Sequence, residues 1–107
     1  MAMVEVSIVP LGTGETGVSK YVAGCVKVLE ERAQEEGLKY KLTAMGTIIE
    51  GELDDCLAAV RVMHEAAFVE DVCRVSTSLK IDDRRDRKDT IERKVRVVAD
   101  KGVKVEV

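Results

Sequence analysis

The sequence is poor in aromatic residues, with one phenylalanine, two tyrosines and no tryptophan among 107 residues. A core without large rings has to be built from aliphatic side chains, mainly valine, leucine, isoleucine and alanine. The shortage also weighs against an RNA-binding domain that stacks bases on the aromatic residues of a sheet. The net charge of −3 offers no general attraction to a polyanion. We therefore expect no nucleic-acid partner.

Long apolar runs are absent as well. No stretch of 18 apolar residues is present, so no membrane-spanning helix and no membrane partner are expected. The first residues, MAMVEVSIVPLG, lack the basic start and the continuous apolar segment of a signal peptide. We expect a cytoplasmic protein that forms a single domain over residues 1–107.

Cysteine and histidine are too few and too scattered for a metal site. Cys25, Cys56 and Cys73 form no CxxC pair, and His64 is the single histidine. We predict free, mostly buried thiols and no bound metal. No serine, cysteine or aspartate lies at the spacing of a known catalytic motif from His64, and no nucleophile elbow or triad is present. We expect it on a helix surface or boundary and predict no catalytic residue.

Apolar periodicity predicts the first strand and the first helix. The segment VEVSIVPL alternates between its two faces, as a half-buried strand does, and Pro10 is expected to end it. After a GTGETG loop, Ser19 is expected to cap a helix that stops at Gly37. The apolar stripe of this helix comprises Val22, Cys25, Val26, Leu29 and Ala33.

The segment KYKLTAMGTIIEGE predicts a hairpin with a tight turn near Met45 and Gly46. A two-residue turn would place Ala44 opposite Thr47 and would put Glu50 on the polar side of the sheet with Thr43. A slip of one residue would reverse every side chain, so the turn length decides the register.

The second half of the chain predicts two helices and two strands. A helix from about Asp54 to Phe68 has an apolar stripe, and RVSTSLKID alternates as a fourth strand. Asp89 is expected to cap a third helix, with Glu92 completing a capping box. The final VKVEV alternates again and predicts a short terminal strand. The stripe of the second helix comprises Cys56, Val60, Met63 and Ala67.

The predicted order is βαββαβ followed by αβ. This is an α+β, ferredoxin-like layout, with two helices on one face of an antiparallel sheet and an extra C-terminal helix and strand. The other sheet face is expected to be polar, with Glu5, Ser7, Lys41, Thr43, Glu50, Ser76, Ser78 and Lys80. Such a face suits either a contact with a second subunit or a small amine-bearing heterocycle held by hydroxyls and a carboxylate.

Two further features have simpler explanations than a ligand site. Gly12, Gly14 and Gly17 spell GxGxxG, but no acidic residue follows at the end of a second parallel strand, so a flexible loop is favoured over a dinucleotide site. The run from Asp82 to Asp89 holds four acidic and four basic residues. It is therefore neutral and favours a solvated loop with local or intersubunit ion pairs.

Several segments together resemble one family. IVPLGTGETGVSKYVA, AMGTIIEGEL, HEAAF and RVSTSLKIDDRRD are similar to the thiamine-binding protein family of small prokaryotic and yeast proteins. The resemblance extends from about Val4 to Val98. The order PLGT, MGT..EG and LKIDDRRD is specific, although each motif alone is weak.

The resemblance implies a ferredoxin-like fold and a homotetramer formed by two dimers through their sheets. It also implies binding of thiamine or its pyrimidine moiety without catalysis and without any other cofactor. The motif positions and the predicted strands nominate six ligand-binding residues: Ser7, Thr43, Met45, Thr47, Glu50 and Ser78. Glu50 would accept a hydrogen bond or balance the cation, and the hydroxyls would pair with polar ring atoms.

Two alternatives remain at this point. A structural or regulatory homo-oligomer without a small ligand would close the polar sheet face with its own salt bridges. An enzyme acting on a thiamine precursor is the weakest possibility, because no acid–base pair or nucleophile set is visible.

Overall fold

The structure is a computed structural model, and it describes residues 1–105. The elements are β1 (Ala2–Leu11), α1 (Ser19–Glu36), β2 (Lys39–Leu42), β3 (Thr47–Gly51), α2 (Leu53–Ala66), β4 (Arg74–Asp83) and α3 (Ile91–Ala99). The four strands form one sheet in the order β2-β3-β1-β4, and every neighbouring pair is antiparallel. The predicted ferredoxin-like arrangement with an added C-terminal helix is confirmed.

The core lies between the sheet and the pair α1 and α2. Alternate residues of β1 are buried, as the two-residue period predicts. They pack with Ile49 of β3 against the two helices, and Cys25 and Leu29 of α1 lie on the buried stripe. From α2, the predicted Cys56, Val60 and Met63 are buried. Each fully buried aliphatic side chain contributes about 1.5–3 kcal/mol, so an aliphatic core can stabilise a domain of this size.

The opposite sheet face is polar, and α3 covers one end of it. The register places Ser7 opposite Ser78 and Glu5 opposite Lys80 across β1 and β4. Met3 of β1 lies between Glu50 of β3 and Asp82 of β4. Glu50 accepts a hydrogen bond from the Ile91 N–H, and Asp82 forms an ion pair with Lys94. The third helix therefore crosses this face above Met3 and leaves the Ser7 end open.

The starts of two helices lie one residue away from the predicted caps. Ser19 is the first residue of α1, and the N-cap position is Val18, which makes no capping side-chain bond. Thr90, not Asp89, caps α3, because its side chain accepts a hydrogen bond from the Arg93 N–H at 3.1 Å. The predicted stop of α1 is confirmed, since Gly37 has a left-handed φ of 69° and its N–H bonds the Ala33 carbonyl.

Two strand boundaries also differ from the prediction. Pro10 does not end β1, which continues to Leu11 beside Arg74. Beyond Val6 one edge of β1 has no partner among the described strands, so the missing proline N–H interrupts no pairing on that edge. Leu42 pairs with Thr47, so the predicted two-residue turn is wrong and a four-residue loop joins β2 and β3. The shift is by two residues, which keeps every side chain on its predicted face.

The C-terminal segment forms no strand in the part of the chain that the structure describes. Residues 103–105 have no regular secondary structure, and Glu106 and Val107 of the predicted terminal strand lie outside the described residues. The second helix ends at Ala66 instead of Phe68. Within residues 1–105, every helix is too short or too polar to cross a bilayer.

Candidate functional site

A cavity of about 170 Å³ lies where α1, β1 and the β2–β3 loop meet. Its walls are residues 6–9 of β1, residues 42–47 of the hairpin, and Val18, Val22, Cys25, Val26 and Met63 from the helices. Most of these groups are apolar, and the polar ones come from the hairpin and from β1. This mixture is typical of small-molecule sites.

The cavity exists because β1 is longer than its neighbour β3. The two strands pair from Ala2 with Gly51 to Val6 with Thr47, and β1 then continues to Leu11 paired with β4 alone. The edge of β1 beyond Val6 therefore faces the cavity instead of another strand. Backbone N–H and C=O groups on an unpaired strand edge are available to a ligand with complementary donors and acceptors.

The loop from Thr43 to Gly46 closes one side of the cavity and is held by its own hydrogen bonds. The N–H and the hydroxyl of Thr43 both donate to the Gly46 carbonyl, each at 2.8 Å. The Met45 N–H donates to the Thr43 hydroxyl at 3.3 Å. A Cβ on Gly46 would lie 2.8 Å from the Val6 carbonyl oxygen, so the loop approaches β1 as closely as it does only with glycine there.

Thr47 is the polar side chain most enclosed at the cavity. It is 4% exposed, and its hydroxyl is not among the side-chain groups that are hydrogen-bonded within residues 1–105. The hydroxyl oxygen itself is accessible, since within residues 1–105 the Arg32 Nε is the one fully buried side-chain nitrogen or oxygen that lacks a partner. Because Thr47 lines the cavity, its hydroxyl can form a hydrogen bond with a polar atom of a ligand there.

Cys25 places a thiol in the same cavity. It is buried, and burial raises the pKa of its thiol. The thiolate is the nucleophilic and metal-binding form, so Cys25 is kept in its less reactive state. Here it acts as a small apolar wall residue next to Met63.

The structure brings four of the six predicted ligand-binding residues to the cavity. Ser7, Thr43, Met45 and Thr47 all line it. Met45 is 83% exposed at the tip of the loop, so it lies at the opening and not in the interior. The clustering follows from the hairpin, which returns the MGT motif beside β1.

Glu50 and Ser78 lie outside the cavity. Glu50 is opposite Met3, three residues along β1 from Val6, which is about 10 Å at the usual rise of a strand. It is 3% exposed, and its carboxylate accepts a hydrogen bond of 2.6 Å from the Ile91 N–H at the start of α3. Ser78 is exposed on the polar face, opposite Ser7. The observed partner of Glu50 is the Ile91 N–H of α3. Its predicted role in ligand binding stays a prediction.

Sequence reasoning missed the helix residues of the cavity. Val22, Cys25 and Val26 were assigned to the apolar stripe of α1, although only Cys25 is fully buried. A stripe cannot show which of its residues lack a facing side chain, because that depends on the length of the opposite strand. The four-residue loop makes β3 start at Thr47, so β3 is shorter than β1. The predicted two-residue turn did not include this shortening.

The charged run forms local pairs, as predicted. Arg84 pairs with Asp86 at 2.6 Å and Arg85 with Asp83 at 2.8 Å. Asp89 pairs with Arg93 at 2.9 Å, and this guanidinium lowers the pKa of the Asp89 carboxyl. The last residue of the run therefore stabilises the first turn of α3. The cavity lies at the other end of the sheet.

His64 lies at a helix boundary, as predicted. Its Nδ1 is 2.7 Å from the Thr77 hydroxyl, and its ring meets Phe68 edge-on at 5.4 Å between centroids. Across residues 1–105, no group of three or more His, Cys, Asp or Glu is arranged to hold a metal ion.

The chain is similar to known proteins over most of its length. The model of the family described as thiamine-binding protein matches residues 4–99. The UPF0045 protein YqgV of Bacillus subtilis is 48% identical, and the match covers 92% of this chain and 94% of that protein.

Solved structures agree with the fold. The crystal structure of protein MJ1052 from Methanocaldococcus jannaschii matches with a TM-score of 0.79 and 44% identity, covering 92% of this chain and 95% of that one. A domain of unknown function from Bacillus cereus matches with a TM-score of 0.66 and 32% identity, covering 88% and 86%. The chain therefore belongs to the thiamine-binding protein family.

Proposed function

We propose that this protein binds thiamine without transforming it, and that the aminopyrimidine ring enters the cavity beside Thr47. The family supports the ligand class. The observation that carries the proposal is the cavity itself, where the Thr47 side chain lies next to the unpaired edge of β1. The two together present a hydroxyl and a row of backbone groups to a flat ring.

The size of the cavity fits one ring better than a whole ligand. Pockets for drug-sized molecules measure roughly 300–1,000 Å³, whereas this cavity measures about 170 Å³. Its apolar walls, Val22, Val26 and Met63, suit the faces of an aromatic ring. The ring edge, with its nitrogen acceptors and exocyclic amine, would meet Thr47 and the β1 backbone.

The charged thiazolium ring would then remain outside the cavity, near the β2–β3 loop. Glu5 lies there on the polar face, with its Cγ 3.8 Å from the position of a Cβ on Gly46. It is exposed, so its carboxylate would balance the cation without a large desolvation cost. In this arrangement Glu5 balances the charge of the thiazolium cation, a function that the sequence analysis predicted for Glu50.

A binding role agrees with the chemistry of the wall residues. The thiol of Cys25 has a raised pKa and is held protonated at neutral pH, so it is a poor nucleophile. Among residues 1–105, no second titratable group lines the cavity to act as its base. We further propose that the protein is cytoplasmic and acts as a homo-oligomer. Its three cysteines are free, which is typical of a reducing compartment.

Titration calorimetry of thiamine against the wild type and Thr47→Val tests the proposal. The substitution keeps the shape and removes the hydroxyl, and loss of its hydrogen bond to the ligand, about 1–3 kcal/mol, weakens binding roughly 5- to 150-fold. Thr13→Val is the matched control, because Thr13 lies in the loop before α1, outside the cavity, and its hydroxyl bonds the Glu15 backbone. Absence of binding to the wild type, or equal affinity of wild type and Thr47→Val, would refute the proposal.

A further inference from the structure

A second, open cavity lies beside the first, on the outer side of α1. It measures about 590 Å³, and we call it the outer groove. Its walls come from α1 and from the end of β2, and they are formed by Val18, Ser19, Val22, Ala23, Val26, Lys27, Glu30, Leu42 and Thr43. Five of these nine side chains are apolar, so the outer groove favours an apolar occupant.

The outer groove is continuous with the cavity beside Thr47. The residues that line both spaces are Val18, Val22, Val26, Leu42 and Thr43. The cavity alone is smaller than the roughly 300–1,000 Å³ of pockets for drug-sized molecules, whereas the two spaces together reach that range. One ligand molecule can therefore occupy both.

The outer groove exists because β2 is short and lies at the edge of the sheet. It ends at Leu42, and no strand lies beyond it within residues 1–105. Leu42 is therefore 53% exposed, and Val22 and Val26 of α1 are only partly buried. These apolar groups face water in the free protein, so a ligand that covers them gains from the hydrophobic effect.

The charges of the outer groove cancel. Among the described residues that line it, Lys27 and Glu30 are the charged ones, and both are exposed. The outer groove therefore offers no net attraction to a cation or to a phosphate group. It differs in this respect from the surface near Glu5, where the proposed function places the thiazolium ring.

We propose that the outer groove is a second compartment of the ligand site and takes an uncharged apolar substituent of an aminopyrimidine. The aminopyrimidine ring enters the cavity beside Thr47, as in the proposed function, on which this inference rests. The ligand class then includes, besides thiamine, aminopyrimidines that carry an uncharged aromatic or aliphatic group.

An analogue of thiamine with a phenyl ring in place of the thiazolium ring tests the inference. The reference compound is the same aminopyrimidine with a methyl group at that position. In titration calorimetry the phenyl analogue should bind roughly 10- to 100-fold more tightly than the methyl compound, because its second ring is removed from water. Equal affinity of the two compounds would overturn the inference.

Ala23→Glu places a charge in the outer groove while the walls of the cavity stay as they are. Ala23 is exposed and lines the outer groove but not the cavity. A carboxylate there would lose water when the apolar ring binds, so this variant should bind the phenyl analogue only about as tightly as the methyl compound.

Gly24→Glu is the matched control for Ala23→Glu. Gly24 is the next residue of α1, is exposed, and lines neither space. This variant adds the same charge to the same helix and should keep the full preference for the phenyl analogue. An equal loss of preference in both variants would place the second ring outside the outer groove.

Thiamine titrated against the wild type in the same series separates the two proposals. Thiamine binding together with equal affinity for the phenyl and methyl compounds would overturn the role of the outer groove and leave the proposed function standing. Absence of thiamine binding would refute the proposed function, and this inference with it.

Discussion

A polar side chain is buried near each end of β3, and the two side chains differ in their hydrogen bonding. Thr47 at one end is 4% exposed, and Glu50 near the other is 3% exposed. The Glu50 carboxylate is bonded to the Ile91 N–H, whereas the Thr47 hydroxyl faces a cavity without a bond within residues 1–105. The two residues are buried to the same extent, but the Glu50 carboxylate is already bonded to α3, whereas the Thr47 side chain lines the cavity and can meet a ligand.

The largest effect is expected from Glu50→Ala, which removes the acceptor at the start of α3. The unfolding free energy should fall by about 2–3 kcal/mol, because a hydrogen bond to a charged group is lost and a backbone N–H loses its acceptor. Urea denaturation measures the loss, and hydrogen exchange should locate it in α3. Thiamine affinity should stay the same.

Glu50→Gln is the control for this prediction, since its amide oxygen can still accept from Ile91. It should lose less stability than Glu50→Ala. If Glu50→Ala instead abolished thiamine binding with its stability intact, Glu50 would belong to the site and the contrast between the two ends would disappear.

An intermediate effect is expected from Gly46→Ala at the cavity end. The new Cβ would meet the Val6 carbonyl at 2.8 Å, so the loop from Thr43 to Gly46 has to move away from β1. Overpacking of this kind costs about 1–2 kcal/mol. Thiamine affinity should fall with it, measured by calorimetry on the folded protein.

Gly24→Ala is the matched control for Gly46→Ala. A Cβ on Gly24 of α1 meets nothing within 4 Å, and alanine in a helix interior is favoured over glycine by roughly 0.5–1 kcal/mol. This variant should be slightly more stable than the wild type and should bind thiamine equally. Unchanged affinity of Gly46→Ala would show that the loop does not shape the site.

The smallest effect is expected in the alkylation rates of two thiols, Cys25 near the cavity end of β3 and Cys56 near its other end. Burial raises the pKa of Cys25, and burial together with the charges of Asp55, Glu52 and Glu50 raises the pKa of Cys56 to about 11. Both should alkylate slowly at neutral pH in a Cys73→Ser background, and faster as the pH rises. Thiamine should slow the labelling of Cys25, which lines the cavity, and leave Cys56 unaffected.

Peptide mass spectrometry reports the two labelling rates separately in one sample. Equal protection of both cysteines would indicate a general stabilisation of the fold instead of a ligand beside Cys25. Protection of neither would place the ligand elsewhere.

The alternation of β1 and β4 was predictable because side chains of a strand repeat every two residues, whatever surrounds them. The faces of Ser7, Ser78 and Glu50 followed correctly from that period. Cap positions were predicted less well, since Asp89 and Thr90 are both good capping residues and only the geometry of the first turn chooses between them.

The order of the elements from β1 to α3, the aliphatic core and the polar sheet face could be predicted, because they depend on local period and composition. That Thr47 lies at a cavity while Glu50 bonds α3 could be seen only in the folded molecule. That difference arises from where β3 starts along β1 and from where α3 crosses the sheet. Both are relations between segments distant in the chain, and a local pattern carries no information about the space between them.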